Sequence, residues 1–229
     1  MPRTARIVVP GIPHHVTQRG NRRQPVFFAD SDYETYKTLM REWCARAGVE
    51  IWAYCLMTNH VHLVVVPESE PALARAIGEA HRRYTAEINR REGWTGHLWQ
   101  GRFASFAMDD AYALRAARYV ELNPVAAKMT RRADAYAWSS ARAHIAGRDD
   151  GLARVAPLLE RMADWRAFLE SGDPADDFET RLAAHAAGGW PLGNDAFIGE
   201  LERRAGRPMK PRPRGRPRKK RTGGEENGA

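Results

Sequence analysis

Apolar positions in the first half of the chain follow two periods, and each predicts a different kind of element. Ile7-Val8-Val9 and His14-His15-Val16-Thr17 read as one strand, interrupted by a bend at Pro10-Gly11 and Pro13. Tyr33, Tyr36, Leu39, Met40 and Trp43 fall at helical spacing, predicting a helix from an Asp30 or Ser31 cap to Ala47, with Gly48 as its stop. Val49 to Met57 predicts a strand, Thr58-Asn59 a turn, and His60 to Val66 a second strand ended by Pro67. A helix over 71–91 carries Leu73, Ile77, Tyr84 and Ile88. A Gly/Trp/His-rich loop spans 93–101, and 102–108 forms a short strand. Asp109 or Asp110 caps a third helix to about Leu122, where Pro124 breaks the pattern.

The resulting order, β-α-β-β-α-β-α, predicts an α+β domain with an antiparallel sheet and helices packed on one face, ferredoxin-like or RRM-like. Residues 1–146 form this expected domain. Residues 147–207 read as a helical, rather acidic C-terminal extension, and 208–229 as a basic tail without the apolar content for a core.

Composition changes this picture mainly through where the charge lies. Of the 229 residues 43% are apolar, enough for a globular domain, and the formal charge is +8. Between Arg203 and Arg221 there are eleven Lys/Arg and no acid, so the excess is a tail on a nearly neutral body. The N-terminal stretch is a second basic region, with Arg3, Arg6, Arg19, Arg22 and Arg23 against Asp30 alone. Such a distribution favours an acidic partner. Cys44 and Cys55 are too few for a disulfide framework or zinc-finger set and read as buried thiols in a reducing compartment. No signal-peptide pattern and no apolar run of roughly 20 residues is present, which points to a soluble, cytoplasmic protein.

Two clusters carry candidate chemistry. In Asn59-His60-Val61-His62 the histidines alternate on a strand, so both imidazoles face one way, about 6–7 Å apart, and can converge on a divalent ion. A bare His-x-His is more often a pair of sheet-face histidines hydrogen-bonded to neighbours. A histidine-triad hydrolase would need a third alternate histidine where Val64 stands. In Arg118-Tyr119-Val120-Glu121-Leu122-Asn123-Pro124, Tyr119 and Asn123 share a helix face. A phenol with a reference pKa near 10 needs a cation or a polarised phosphate to act as nucleophile, and a metal supplies the latter. Asn123 can add an oxygen ligand. Read alone, this pair is also an ordinary helix tyrosine and a helix-ending asparagine. Tyr112, one heptad earlier, is the reserve nucleophile.

Four ordered blocks resemble the REP-associated tyrosine transposases, members of the HUH single-strand DNA transposases: 14–21 (HHVTQRGN), 54–63 (YCLMTNHVHL), 98–103 (LWQGRF) and 118–125 (RYVELNPV). The likeness spans roughly residues 3–145. It implies an RRM-like catalytic domain with metal ligands at His60, His62 and Asn123, the nucleophile at Tyr119, and Mg²⁺ or Mn²⁺ as cofactor. The chain departs from the pattern at Thr58, where relatives usually carry proline. It also lacks, over 125–129, the arginine and glycine common in relatives.

The implied activity is single-stranded DNA cleavage and strand transfer near hairpin, REP-like sequences through a 5′-phosphotyrosine, in a monomer or a homodimer. The expected DNA contacts are His15, Arg19, Asn21, Arg22, Trp99, Arg102, Arg115 and Arg118. The tail adds Arg214, Arg216 and Arg218, whose Gly-Arg-Pro setting resembles an AT-hook able to lie in a minor groove. Such a protein would be nucleoid-associated. The competing functions are a non-cleaving DNA-binding protein of the same fold and, less well matched, a replication initiator or relaxase.

Overall fold

A computed structural model describes residues 6–171 and 178–209. Four strands, β1 (His14–Arg19), β2 (Val49–Met57), β3 (His60–Pro67) and β4 (Ala104–Ala107), form one antiparallel sheet in the order β2-β3-β1-β4. This is the ferredoxin-like order that the element pattern predicts. Helices α1 (Asp30–Ala47) and α2 (Glu70–Glu92) pack on one face, burying Tyr36, Met40, Leu73, Ile77 and Tyr84 against Val16, Leu63 and Val65.

The opposite face is covered as well. Helix α3 (Asp110–Ala126) lies there against Val64 and Phe106, joined by Leu158, Trp165, Leu169, Phe178, Leu182 and Leu192 from the following segments. After α3 come α4 (Ala141–Ala146) and, in the C-terminal extension, α5 (Ala156–Leu159), α6 (Trp165–Glu170), α7 (Phe178–Gly188) and α8 (Asp195–Ala205). Most of these share a core with α3 and the sheet.

Local chemistry accounts for most boundaries. Gly48 and Gly93 take left-handed conformations after α1 and α2. The α1 start is held by Asp32, whose carboxylate accepts from the Phe28 and Ala29 amides and pairs with Arg91, rather than by Asp30 or Ser31. A bulge at Trp52 inserts one residue into β2, so Ala53, Cys55 and Met57 face α3 while Ile51 faces α1 and α2.

Three expectations are corrected. Ile7 and Val9 are not in a strand; they pack with Ile198, Leu201 and Met209 beneath α8. Strand β4 begins only at Ala104, because Gly101 turns in a left-handed conformation and Phe103 dives into the α2-side core. Pro124 does not end α3, which runs to Ala126. Its missing N–H falls in the last turn, its ring is buried, and its carbonyl accepts from Met129. The left-handed residue that follows is Lys128, at φ 57°.

Candidate active site

Strand register decides which residues meet on the α3 side of the sheet. β1 pairs Thr17 with His62, Arg19 with His60 and His15 with Val64, so the odd positions of β1 and the even positions of β3 share one face. The histidines line up across it. Ring centroids lie 4.9 Å apart for His60 and His62 and 5.2 Å apart for His15 and His62. Tyr119 on α3 meets His62 edge-on at 5.5 Å. The strand histidines and the helix tyrosine, predicted from separate segments, therefore come together. Asn123 follows Tyr119 by one turn of the same helix and is half-buried.

Each histidine is oriented by a partner. His60 Nδ1 bonds Asn59 Oδ1 at 2.6 Å, which makes Nδ1 the protonated nitrogen and leaves the Nε2 lone pair for a ligand. His62 Nδ1 lies 3.1 Å from His15 Nε2. If His62 Nδ1 carries the proton and donates it to His15, His62 Nε2 also has a free lone pair. Burial keeps both rings neutral: His60 is pushed down to about 4, helped by Arg19, and His62 falls well below the usual histidine range, helped by His15 and His60. Neutral imidazole is the form that binds a metal.

A cavity of about 300 Å³ holds His62 and Tyr119 together. Arg19 and Arg102 contribute cations to its wall, Thr17 and Gln100 polar groups, and Leu182 and Ala186 of α7 an apolar side. Sequence reasoning missed the α7 contribution, since no local pattern tells where a later helix returns. It also missed Thr17, although strand alternation places it on the face of His15 and Arg19.

The expected DNA contacts are spread over the molecule. His15 is 1% exposed, wedged between His62 and Phe106 in the wall of this cavity. Trp99 is buried in the α2-side core, stacked on His81 at 4.4 Å. The exposed aromatics of that region are Trp94 and Phe28, in contact at 5.6 Å. Arg115 lies over the Tyr112 and Phe178 rings and Arg118 over Phe168, so both pack against the extension. Tyr112 accepts a hydrogen bond from Arg181 and stacks on Phe178, away from the histidines.

Arg22 is exposed in a turn where it and Arg23 have consecutive left-handed conformations, at φ 54° and 61°. Asn21 is half-buried, its amide donating to Leu98. Close packing requires glycine at position 20, where an added Cβ would lie 2.2 Å from the Gln24 carbonyl oxygen. Arg214, Arg216 and Arg218 lie outside the described residues.

Residues 8–123, half of the chain, match the model of the family described as Transposase IS200 like. The chain belongs to that family. No curated protein matches this transposase in sequence. Among solved structures it is similar to a REP-associated tyrosine transposase bound to a REP hairpin, at 20% identity, with 67% of this chain and 89% of that chain covered and a TM-score of 0.51. It also matches a protein of Deinococcus radiodurans R1 provisionally described as a transposase, at 20% identity over 52% of this chain and 96% of that one, with a TM-score of 0.38. The first likeness shares the fold of the IS200-like transposase described above. Transposases as a class cleave DNA and transfer strands. No helix among the described residues is long and apolar enough to cross a membrane.

Proposed function

We propose that this transposase cleaves single-stranded DNA next to a hairpin by direct attack of Tyr119 on a backbone phosphate. The observation that carries the reading is the edge-on contact of Tyr119 with His62 in one cavity that Arg19 and Arg102 also line. Arg19 and Arg102 bring positive charge to the place where a phosphate would sit. Attack forms the Tyr119 Oη–P bond and breaks the P–O3′ bond. The product is a 5′-phosphotyrosine on one DNA end and a 3′-hydroxyl on the other, and the phenolic proton ends, net, on that 3′ oxygen. Attack by a different 3′-hydroxyl reverses the chemistry and completes strand transfer.

The donor set fits a divalent cation such as Mg²⁺ or Mn²⁺. His60 and His62 would hold it through their Nε2 atoms, with the Asn123 side chain as a third donor. When bound, the ion supplies Lewis-acid polarisation of the scissile phosphate. Among the described residues no group of three or more His, Cys, Asp and Glu could hold a metal ion, so a bound ion would need oxygen donors such as Asn123 and the substrate phosphate. His15 holds His62 in the ligating tautomer, and Asn59 does the same for His60.

The test is incubation with hairpin-bearing single-stranded oligonucleotides and Mn²⁺, followed by a denaturing gel. A covalent protein–DNA band that persists in Tyr112→Phe and vanishes in Tyr119→Phe is the expected result. Reversible binding with no covalent band supports instead a DNA-binding protein that keeps the fold without cleaving, and a band in Tyr119→Phe removes the assignment.

A further inference from the structure

A second cavity, of about 430 Å³, opens beside the candidate active site. It lies on the α2 side of the sheet, walled by α2, by the loop over 97–103 and by Arg6. Gln18 and Arg102 belong to the walls of both cavities, so one layer of side chains separates them. The junction exists because β4 pairs with β1 only from His14 to Thr17, leaving the last residues of β1 without a β4 neighbour.

The chemistry of this second space is specific. Arg6, Arg82 and Arg102 line it, with no carboxylate among the described lining residues, although Arg82 pairs with Glu79 at its margin. Arg6 donates to the Phe103 carbonyl and lies over the Phe103 ring, and burial followed by the nearby Arg102 lowers its pKa. Two further lining residues carry buried polar atoms without hydrogen-bond partners: the Gln18 Oε1 acceptor and the Trp99 Nε1 donor. Gln18 is 3% exposed and Trp99 7%. Orphaned buried groups cost roughly 1–3 kcal/mol each and call for an explanation. On α2 the wall contains Gly78, where a Cβ would meet nothing within 4 Å. Glycine inside a helix costs about 1 kcal/mol relative to alanine, and here it leaves room.

We propose that this cavity is a nucleobase pocket, holding one unpaired base of the strand whose backbone crosses the neighbouring His62–Tyr119 cavity. One donor and one acceptor suit the edge of a base, the arginines suit its phosphate, and the volume suits a single nucleoside. Arg102, on the shared wall, links the two sites. The pocket gives the enzyme a base preference beside the cut that does not depend on pairing with other DNA. This inference rests on single-stranded DNA being the substrate, but not on cleavage.

Fluorescence anisotropy with labelled strands of about 12 nucleotides tests it on the full chain, using dA, dC and dT homopolymers and an alternating dG/dT strand. The full chain should prefer one strand by roughly tenfold, the scale of one well-held base. Gly78→Phe, which fills the cavity from α2, should level the preference, while Gly78→Ala should keep it. Gln18→Leu, which removes the orphaned acceptor at similar bulk, should change which strand is preferred. Equal binding of all four strands by the parent chain overturns the proposal, as does a preference that both Gly78→Phe and Gln18→Leu leave unchanged. A Gly78-dependent preference without any covalent band on the gel would remove the catalytic reading and leave the pocket standing.

Discussion

The residues that matter most here act in pairs with a partner behind them. His15 accepts or donates only to His62, and its Nδ1 has no partner. His15→Phe keeps an aromatic ring against Phe106 but removes the hydrogen bond to His62 Nδ1. It should lower covalent adduct formation 10- to 100-fold at limiting Mn²⁺, with partial recovery at high Mn²⁺. A Mn²⁺ titration unchanged from the parent would show that His15 only packs. Lys128 presents a different case, a left-handed residue at the end of α3 where glycine fits without strain. Lys128→Gly should stabilise the protein by a few tenths to about 1 kcal/mol in urea denaturation. Lower stability would mean that the lysine side chain offsets its own backbone cost.

At this scale the sequence pointed to His60, His62 and Tyr119 because each sits in a local pattern with chemical meaning, and the structure brings their rings into one chain of contacts. It gave no sign that His15 and Trp99 are buried, because nothing local to either residue tells which face of the sheet the helices cover. The structure buries both of them for reasons that lie tens of residues away.

Among the elements, α3 carries Tyr119, the nucleophile proposed above, and is anchored by a buried carboxylate. On its far side Glu121 is fully buried and accepts from Ser140 Oγ at 2.5 Å and Trp165 Nε1 at 2.7 Å, with His144 Nδ1 at 2.6 Å. One carboxylate thus fastens α3 to the start of α4 and to α6. Glu121→Ala leaves three buried groups without their acceptor and should cost about 3 kcal/mol of stability. Glu121→Gln should cost less, since it keeps the volume and one acceptor oxygen. Urea melts of both variants check the order, and equal stability for parent and alanine variant would contradict it. The strand and helix boundaries of 30–92 were legible from periodicity and caps. The Trp52 bulge was not, because a run of buried residues on both sides hides the change of face.

For the molecule as a whole, buried neutral histidines set the response to acid. His14 donates from Nδ1 to the Ile12 carbonyl and accepts the Val9 amide at Nε2, and burial pushes it down to about 4. His81 bonds the Tyr36 hydroxyl and is pushed down to about 3, again by burial. Both take up protons more readily unfolded, near 6.5, so their contribution is intact above that pH and is lost as pH falls toward 4. The melting temperature at pH 5 should lie at least about 5 °C below that at pH 7.5; a flat profile would contradict this.

The basic tail can be removed without disturbing the folded part by a cut after Met209. Met209 is buried with Ile198 and Leu201, and its amide donates to Glu202. Residues 210–229 still carry eight Lys/Arg against two acids. Removing them should flatten the salt dependence of DNA binding, and an unchanged slope would assign the electrostatic attraction to the folded body.

The anchoring of α3 also has a consequence for synthesis. The residues that complete its surroundings come later in the chain: Ser140, Trp165, Phe178 and then Leu192, which pairs beside Met108 and accepts the Asp109 amide at the helix start. A nascent chain emerging N-terminus first can form its sheet with α1 and α2 while α3 still lacks these contacts. The strand carrying both histidines would then take shape well before the tyrosine is held against it. The ability to cut DNA should arise late in translation, when the last helices have left the ribosome.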